Sequence, residues 1–569
     1  MSLPQIRRRP VPDVVLPSVP PLLARILAAR GVSSESELDL SLQQLPAPDC
    51  LPGLDAAVAL LLQARAQQWT VLIVGDYDAD GATATALLWR GLQWLGLAQP
   101  QFLVPDRFIY GYGLSEAIVE LACQQGTPDL IITVDNGIAS IDGVAAARAA
   151  GIRVLITDHH LPGEALPEAD AIVNPRLVTD HPLANLAGVG VAFYVLMALR
   201  AALREQGQPA AAPLAELLDL VAVGTVADVV PLCAVNRALV EQGLRRIRAG
   251  RACAGVRALL QVSGREPALL TATDLGFVVG PRINAAGRLA DMRLGIACLL
   301  ADDDVEALAH AGELDRINRE RRVIEQGMRD AAEQQVAQLT ERGAAAPLGV
   351  CLYDPHWHEG VVGLLASRVK ERLHRPVVAL APAQQPGMLK GSGRSIPGLH
   401  LRDVLDRVAT RHPGLLHRFG GHAMAAGLTM AEADLPAFTA AFSDAVAELA
   451  LPGCFDPVLD SDGPLAATDV TLSVAELLQR AYPWGQGFAP PLFDGEFEVL
   501  NARVVGERHL KLTLGLPDTG AVVDAIHFGA DEALLAQQPT RVQGLYRLEV
   551  NQWQGRRSVQ LVFQHLIGH

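Results

Sequence analysis

From about Leu54 to Ala234 short apolar runs alternate with stretches of helical periodicity: VLIVG precedes ATATALLWRGLQWLG, DLIITV precedes DGVAAARAAG, and RVLIT follows. Runs that are apolar at every position fit strands buried on both faces. Their alternation with helices predicts a parallel sheet layered by helices. A helical block, VAFYVLMALRAALREQG and LAELLDLVAVGTVADVVPL, completes this first α/β domain. Residues 302–342 lack proline and are rich in Ala, Glu, Arg, Leu and Gln. They predict one long connecting helix of about 40 residues and about 60 Å, with a break near Gly312 or Gly327 as the competing expectation. Beyond it, PLGVCLYD and RPVVALAP read as strands around the helix VVGLLASRVKERLH, giving a second α/β domain to about Leu449. The last part alternates with period two and carries Gly-containing turns, the pattern of a small β-barrel such as an OB-fold. The Pro-rich stretch from Pro10 to Pro21 predicts an extended arm. The expected division is an arm over 1–50, a first α/β domain over 51–235, and a helical region with the connecting helix over 236–342. A second α/β domain over 343–449 and a barrel over 450–569 follow.

The strands predicted in the first domain end in charge. VLIVG runs into Asp76, Asp78 and Asp80, IITV into Asp135, and VLIT into Asp158, His159 and His160. In parallel sheets ligands sit outside the carboxyl ends of the strands, and crowded carboxylates repel unless cations hold them. Carboxylate oxygen suits hard cations such as Mg²⁺ or Mn²⁺, and imidazole adds affinity for Mn²⁺. The set Asp76, Asp78, Asp80, Asp135, His159, His160 and Asp228 suits two ions about 3.5–4 Å apart acting on a phosphoryl group. An isolated Asp at a strand end is more often a helix cap. Three successive strand–loop units with such ends argue otherwise.

Composition narrows the picture. Half of the 569 residues are hydrophobic and 19% charged, an ordinary globular balance. A net charge of −15 excludes a surface coated in positive charge for indiscriminate DNA binding, but not a local basic channel. No apolar run reaches the roughly 18 residues needed to span a bilayer, and the basic start has no signal-peptide core. The expectation is a cytoplasmic protein without a membrane partner. Seven scattered cysteines without a C-x-x-C pair fit reduced thiols in the core.

Together DYDADG (76–81), VDNG (134–137), DHH (158–160) and Asp228 resemble the DHH phosphoesterase superfamily. PDRFIYGYGLS (105–115), GPRINAAGRL (280–289), GSGRS (391–395) and RFGGHAMAAG (418–427) extend the resemblance to its RecJ family of bacterial exonucleases. That resemblance implies Asp78, Asp80, Asp135, His159 and Asp228 as metal ligands, with Asp135 bridging two ions. It also implies that His160 faces the scissile phosphate and that Asp158 orients the neighbouring imidazoles. Many DHH enzymes carry a metal-ligating His where this chain has Val74, which leaves two alternatives: a first metal held more weakly, with unequal occupancy of the two ions, or Asp76 as a substitute ligand. The implied reaction is hydrolysis of single-stranded DNA from its 5′ end to mononucleotides by metal-activated water, in repair and recombination. A single-strand-binding protein and a helicase are the implied partners.

Substrate grip has its own candidates. The Gly-rich GSGRS and RFGGHAMAAG segments let backbone amides approach phosphate beside Arg394 and His422. By resemblance Arg282 and Arg288 hold DNA phosphates, and Arg107, Ser392 and Arg394 form a pocket for the terminal 5′ phosphate. Tyr110 and Tyr112 suit base stacking, with core packing as the competing role. Trp553, Arg556 and Arg557 in NQWQGRRSV suit single-strand binding, or a solvated hairpin. A channel between the α/β domains too narrow for duplex is the expected source of strand selectivity. Two other functions remain open: a DHH phosphodiesterase of short oligonucleotides or cyclic dinucleotides, which lacks a need for the barrel, and a non-catalytic DHH-type replication scaffold, which lacks a need for the intact Asp and His set.

Overall fold

The computed structural model describes all residues except 1–4, 107–108, 209, 342–346, 507, 518, 531–533, 536–538 and 569. The first sheet contains β1 (Val71–Gly75), β2 (Gln101–Leu103), β3 (Leu130–Val134), β4 (Arg153–Thr157) and β5 (Ala171–Val173). The order is β2-β1-β3-β4-β5 and every pairing is parallel. Side chains alternate between two faces. Ile73, Ile132 and Leu155 enter the large core under the helices Ala79–Trp94 and Gly188–Glu205. Leu72, Ile131 and Val154 meet Ile118 and Val144 of the helices Glu116–Gly126 and Ile141–Ala149 on the other face. Burial on both faces is why these strands lack polar alternation.

The chain divides into two compact units. One comprises Arg288–Ala290 and Arg316–Leu459, together with the beginning of the chain through Gln5. The other comprises Ile6–Gly287, Asp291–Asp315 and Asp460–His569. In the first of these lie β6 (Val350–Tyr353), β7 (Val377–Pro382), β8 (Met388–Arg394), β9 (Arg418–Gly421) and β10 (Ala425–Ala431). They form a mixed sheet in the order β9-β10-β8-β7-β6, with only β6 and β7 parallel. The helix Val362–Leu373 makes the crossover between that parallel pair.

The larger unit also contains the C-terminal barrel: β11 (Phe493–Val505), β12 (His509–Gly515), β13 (Val522–Phe528), β14 (Arg541–Trp553) and β15 (Arg556–Gly568). The strands close in the order β11-β12-β13-β15-β14, the five-stranded OB arrangement expected from the alternating pattern. Phe497 meets Tyr546 and Phe563 edge to face inside it, those two rings are tilted against each other, and its core is continuous with that of the parallel sheet's helices. Strands β11, β14 and β15 run 13 residues each, longer than the short strands the sequence implied.

Two other expectations change. Residues 1–50 are more than an extended arm: the helix Pro21–Ala28 buries Leu23, Ile26 and Leu27 in the main core, an i, i+3, i+4 stripe masked by the preceding prolines. The connecting helix is unbroken over Asp304–Glu341. Gly312 and Gly327 both lie within it, since a single helical glycine costs only about 1 kcal/mol. Among the described residues no single helix is long and apolar enough to cross a membrane, and all seven cysteines are free thiols.

Candidate metal centre and nucleic-acid site

Strand β1 ends at Gly75, so Asp76, Asp78 and Asp80 lie in the following loop and the first turn of the helix Ala79–Trp94. Asp78 is that helix's N-cap. Its Oδ1 accepts from the amides of Asp80 at 2.9 Å and Gly81 at 3.1 Å, which leaves Oδ2 for another partner. Asp80 is fully buried and accepts from the amides of Gly188 at 2.6 Å and Val189 at 2.9 Å. Those amides open the helix Gly188–Glu205, whose N-cap Ala187 offers no side-chain acceptor, so Asp80 is the anion at that N-terminus. Burial, and next the charge of Asp78, push the Asp80 carboxyl up to about 7 against these amides. The approach demands glycine. A Cβ on Gly188 would lie 2.7 Å from the Asp135 Cβ, and one on Gly224 would lie 2.8 Å from the Asp80 Oδ1.

Asp135 follows β3 with a left-handed φ of 61°, a conformation costly for a non-glycine residue and concentrated at functional sites. His159 follows β4, and Asp228 caps the C-terminal end of the helix Leu218–Ala227. His159 Nε2 lies 3.0 Å from Asp135 Oδ1 and 3.5 Å from Asp228 Oδ2. All three atoms are nevertheless buried without a hydrogen-bond partner. Burial, and next the nearby His160, push the His159 pKa down to about 3, so the ring is neutral and these contacts are not ion pairs. Burial, and next the charges of Asp80 and Asp78, hold Asp135 and Asp228 well above the usual carboxylate range. Acceptor atoms converging on one another rather than on donors are the arrangement a cation satisfies.

Three sets of ligand atoms each fall within 4.8 Å of one another: Asp76, Asp78 and Asp135; Asp80, His159 and Asp228; and Asp135, His159 and His160. These donor sets fit divalent cations, and Asp135 and His159 each belong to two of the three. Val74 is buried within β1. Asp76, on the next loop, takes part in the first set.

Asp158 organises the adjoining edge. Its Oδ1 accepts from the His159 and His160 amides and from His160 Nδ1 at 2.7 Å, and its Oδ2 accepts from the Ile138 amide. It thus fixes the ring of His160 but only the backbone of His159. Burial opposes the protonated form of His160, but the Asp158 hydrogen bond and charge, followed by Asp76 and Asp78, raise its pKa overall. With Nδ1 engaged, Nε2 is the ring atom left for a substrate. Tyr112 donates to the Asp135 carbonyl at 3.0 Å and packs edge-on against Tyr77 and His160. Its ring is 49% exposed. Its enclosed hydroxyl stays protonated, pushed well above its ordinary pKa by burial and then by the carboxylates. Tyr110 packs against the core instead.

The phosphate-grip candidates separate. On β8, Arg394 Nη1 donates to Ser392 Oγ at 2.9 Å and to the Gly393 carbonyl at 2.8 Å. No carboxylate pairs with Arg394 among the described residues, and burial lowers its pKa. Exposed His422 lies between β9 and β10, its amide bonded to the Ala425 carbonyl. Arg288 donates to the Gly360 carbonyl at 3.2 Å. Arg282 departs from the expected phosphate contact. It is buried in an ion pair with Asp315 at 2.9 Å and bonds the Val278 carbonyl at 2.6 Å, so its charge is engaged inside the fold. Arg107 lies outside the described residues. At the tip of β14 and β15, Trp553 is 71% exposed opposite exposed Arg556, while Arg557 is held by Glu476 at 2.6 Å. The sequence did not disclose the Gly188 and Val189 amides. Their available signal was a glycine-rich helix start with no capping side chain.

Comparison with known proteins is consistent along the whole chain. Family models match in order: the DHH family N-terminal domain at 70–225, the DHHA1 domain at 345–448 and the RecJ OB domain at 461–565. The single-stranded-DNA-specific exonuclease RecJ of Dickeya dadantii is 53% identical, over 99% of each chain. The crystal structure of RecJ in complex with Mn²⁺ from Thermus thermophilus superimposes with a TM-score of 0.80 at 32% identity, covering 99% of this chain and 80% of that one. The corresponding Mg²⁺ complex gives 0.75 at 32% identity, covering 99% and 78%. With all three domains matched in sequence and a relative more than half identical from end to end, the chain belongs to the RecJ family of single-stranded-DNA-specific exonucleases.

Proposed function

We propose that this chain removes mononucleotides from the 5′ end of single-stranded DNA by hydrolysis at a centre of two divalent cations, Mn²⁺ or Mg²⁺. The observation that carries this is the buried convergence of Asp135 Oδ1, Asp228 Oδ2 and His159 Nε2, none with a hydrogen-bond partner. Asp76, Asp78 and Asp80 complete the ligand set. These residues would hold the cations, whose chemistry would be to activate water and to neutralise charge developing on the phosphoryl oxygens. The chain's own residues supply the rest. Asp158 holds His160 with Nε2 toward the phosphate, where a raised pKa keeps a proton available for a non-bridging oxygen. Tyr112 buttresses His160 and offers its exposed ring to a base.

Ser392 and Arg394 are assigned to the terminal 5′ phosphate, a free end that an internal phosphate lacks. Support comes from a half-buried guanidinium without a carboxylate among the described residues. Arg288 and His422 are assigned to backbone phosphates, and Trp553 with Arg556 to strand binding on the barrel. The first α/β domain is the catalytic part, the second grips substrate, and the barrel holds the strand. A single-strand-binding protein and a helicase are the proposed partners, at work in bacterial cytoplasm during repair and recombination.

The test uses single strands labelled at either end, and the matching duplex, in Mn²⁺, Mg²⁺ or chelator. Early release of labelled mononucleotide from the 5′-labelled single strand alone, abolished by chelator, is expected. Intact single strands in both metals, or earlier release from the 3′ label, would contradict the proposal.

A further inference from the structure

The segment GPRINAAGRL was assigned to phosphate contact by resemblance, yet its helix Gly280–Leu289 is mostly inside the fold, with Ile283, Ala285, Ala286 and Gly287 buried. Positions 280, 284 and 287 fall on one side of it. That side meets both elements that carry the outer metal ligands. At its start, a Cβ on Gly280 would lie 3.1 Å from the Cβ of Ala227, the residue before Asp228. The π-helical turn Leu275–Val279 leading into it sits on the same helix end, since a Cβ on Gly276 would lie 3.2 Å from Val226 Cγ1. One turn on, Asn284 Oδ1 accepts from the Ala79 amide at 2.7 Å. One turn further, a Cβ on Gly287 would stand 1.9 Å from the Tyr77 carbonyl oxygen, so the helix backbone lies directly against the loop.

The Asn284 bond has a specific consequence. Asp78 is the N-cap, and Ala79, Asp80 and Gly81 present the first three free amides of its helix. Asp78 Oδ1 takes two of them, Asp80 and Gly81. Asn284 takes the third. With all three amides satisfied, the Asp78 carboxylate is fixed in rotamer with Oδ2 uncommitted, and the adjacent Asp80 is fixed against Gly188 and Val189.

We infer that Asn284 is a positioning residue of the metal centre and that the Gly280–Leu289 helix is a brace setting the distance between Asp228 and the Asp78–Asp80 pair. This rests on the cation assignment of that cluster, so the test measures cation binding directly rather than cleavage alone. Mn²⁺ binding to the metal-free full-length protein is followed by calorimetry for the wild type, Asn284→Leu, which keeps the shape but loses the acceptor, and Asn284→Asp, which keeps the acceptor. Metal-free binding of single-stranded DNA is measured on the same samples. Asn284→Leu should weaken Mn²⁺ binding by about tenfold to a hundredfold, the range for groups that orient metal ligands. Metal-free DNA binding should stay unchanged. Asn284→Asp should bind Mn²⁺ at least as tightly as the wild type, since it retains the acceptor and adds negative charge. If Asn284→Leu does not fold, Asn284→Ala carries the same expectation. Wild-type Mn²⁺ affinity in the Leu or Ala variant, an equal loss in the Asp variant, or a parallel loss of metal-free DNA binding would overturn the inference. Absence of Mn²⁺ binding to the wild type would instead overturn the cation assignment beneath it.

Discussion

Asp80, Asp135 and Asp228 are acids whose folded pKa lies above the unfolded value of about 4. In the metal-free protein they keep protons that the unfolded chain releases. Their contribution to stability is therefore present below about pH 4 and is lost as pH rises toward the folded pKa, about 7 for Asp80. His159, depressed to about 3, acts oppositely by a single proton, adding stability as pH rises toward its ordinary value. Three carboxylates outweigh it. Cation binding must displace their protons, so the rise in melting temperature caused by Mn²⁺ should be larger at pH 7.5 than at pH 5.5. Equal rises at both pH values would contradict the assignment. If Arg394 serves the terminal phosphate as proposed, Arg394→Ala should reduce the preference for 5′-phosphorylated over 5′-hydroxyl ends, checked by comparing cleavage rates of the two. The candidate ligands were legible because Asp and His punctuated apolar strands. The Asp80 amide cradle was not, because backbone donors carry no residue signature.

Among the elements, the parallel sheet and its reactive edge were readable from periodicity alone, since β1, β3 and β4 are apolar throughout and stop at charge. Less readable was which helices press on that edge. The helix Gly188–Glu205 begins at a glycine whose missing side chain lets Asp135 approach. Gly188→Val should therefore displace Asp135 and lower the cleavage rate by about a hundredfold, the effect of a displacement near 1 Å at a reacting centre. Circular dichroism checks that the fold survives, and a rate within twofold of wild type would refute the packing argument. The connecting helix was predicted with a possible break at its glycines. Continuous helical hydrogen bonding prevails because Gly312 and Gly327 need no special conformation there. The N-terminal helix went unread because proline-rich flanks hid three core residues, Leu23, Ile26 and Leu27.

At the scale of the whole molecule, the domain order and the barrel followed from changes in hydrophobic period, and closure of the barrel agrees with the OB expectation. That the barrel's core runs on into that of the parallel sheet's helices has no signature in the sequence, because such continuity depends on tertiary contacts. Trp553 at the exposed hairpin tip is a test of the barrel's role. Trp553→Ala should weaken binding of long single strands by about 1–3 kcal/mol, the range for one stacked base, while leaving the rate at saturating short substrate unchanged; a fluorescence titration and a single-turnover assay separate the two. The central claim is that the buried carboxylate and imidazole cluster is a hydrolytic centre in which Asp135 serves both cation positions. The most direct measurement is the rate of mononucleotide release from 5′-labelled single-stranded DNA by Asp135→Ala at saturating Mn²⁺, with DNA binding measured on the same sample. The account predicts a fall of about a thousandfold or more with binding retained. Turnover near the wild-type rate would contradict it.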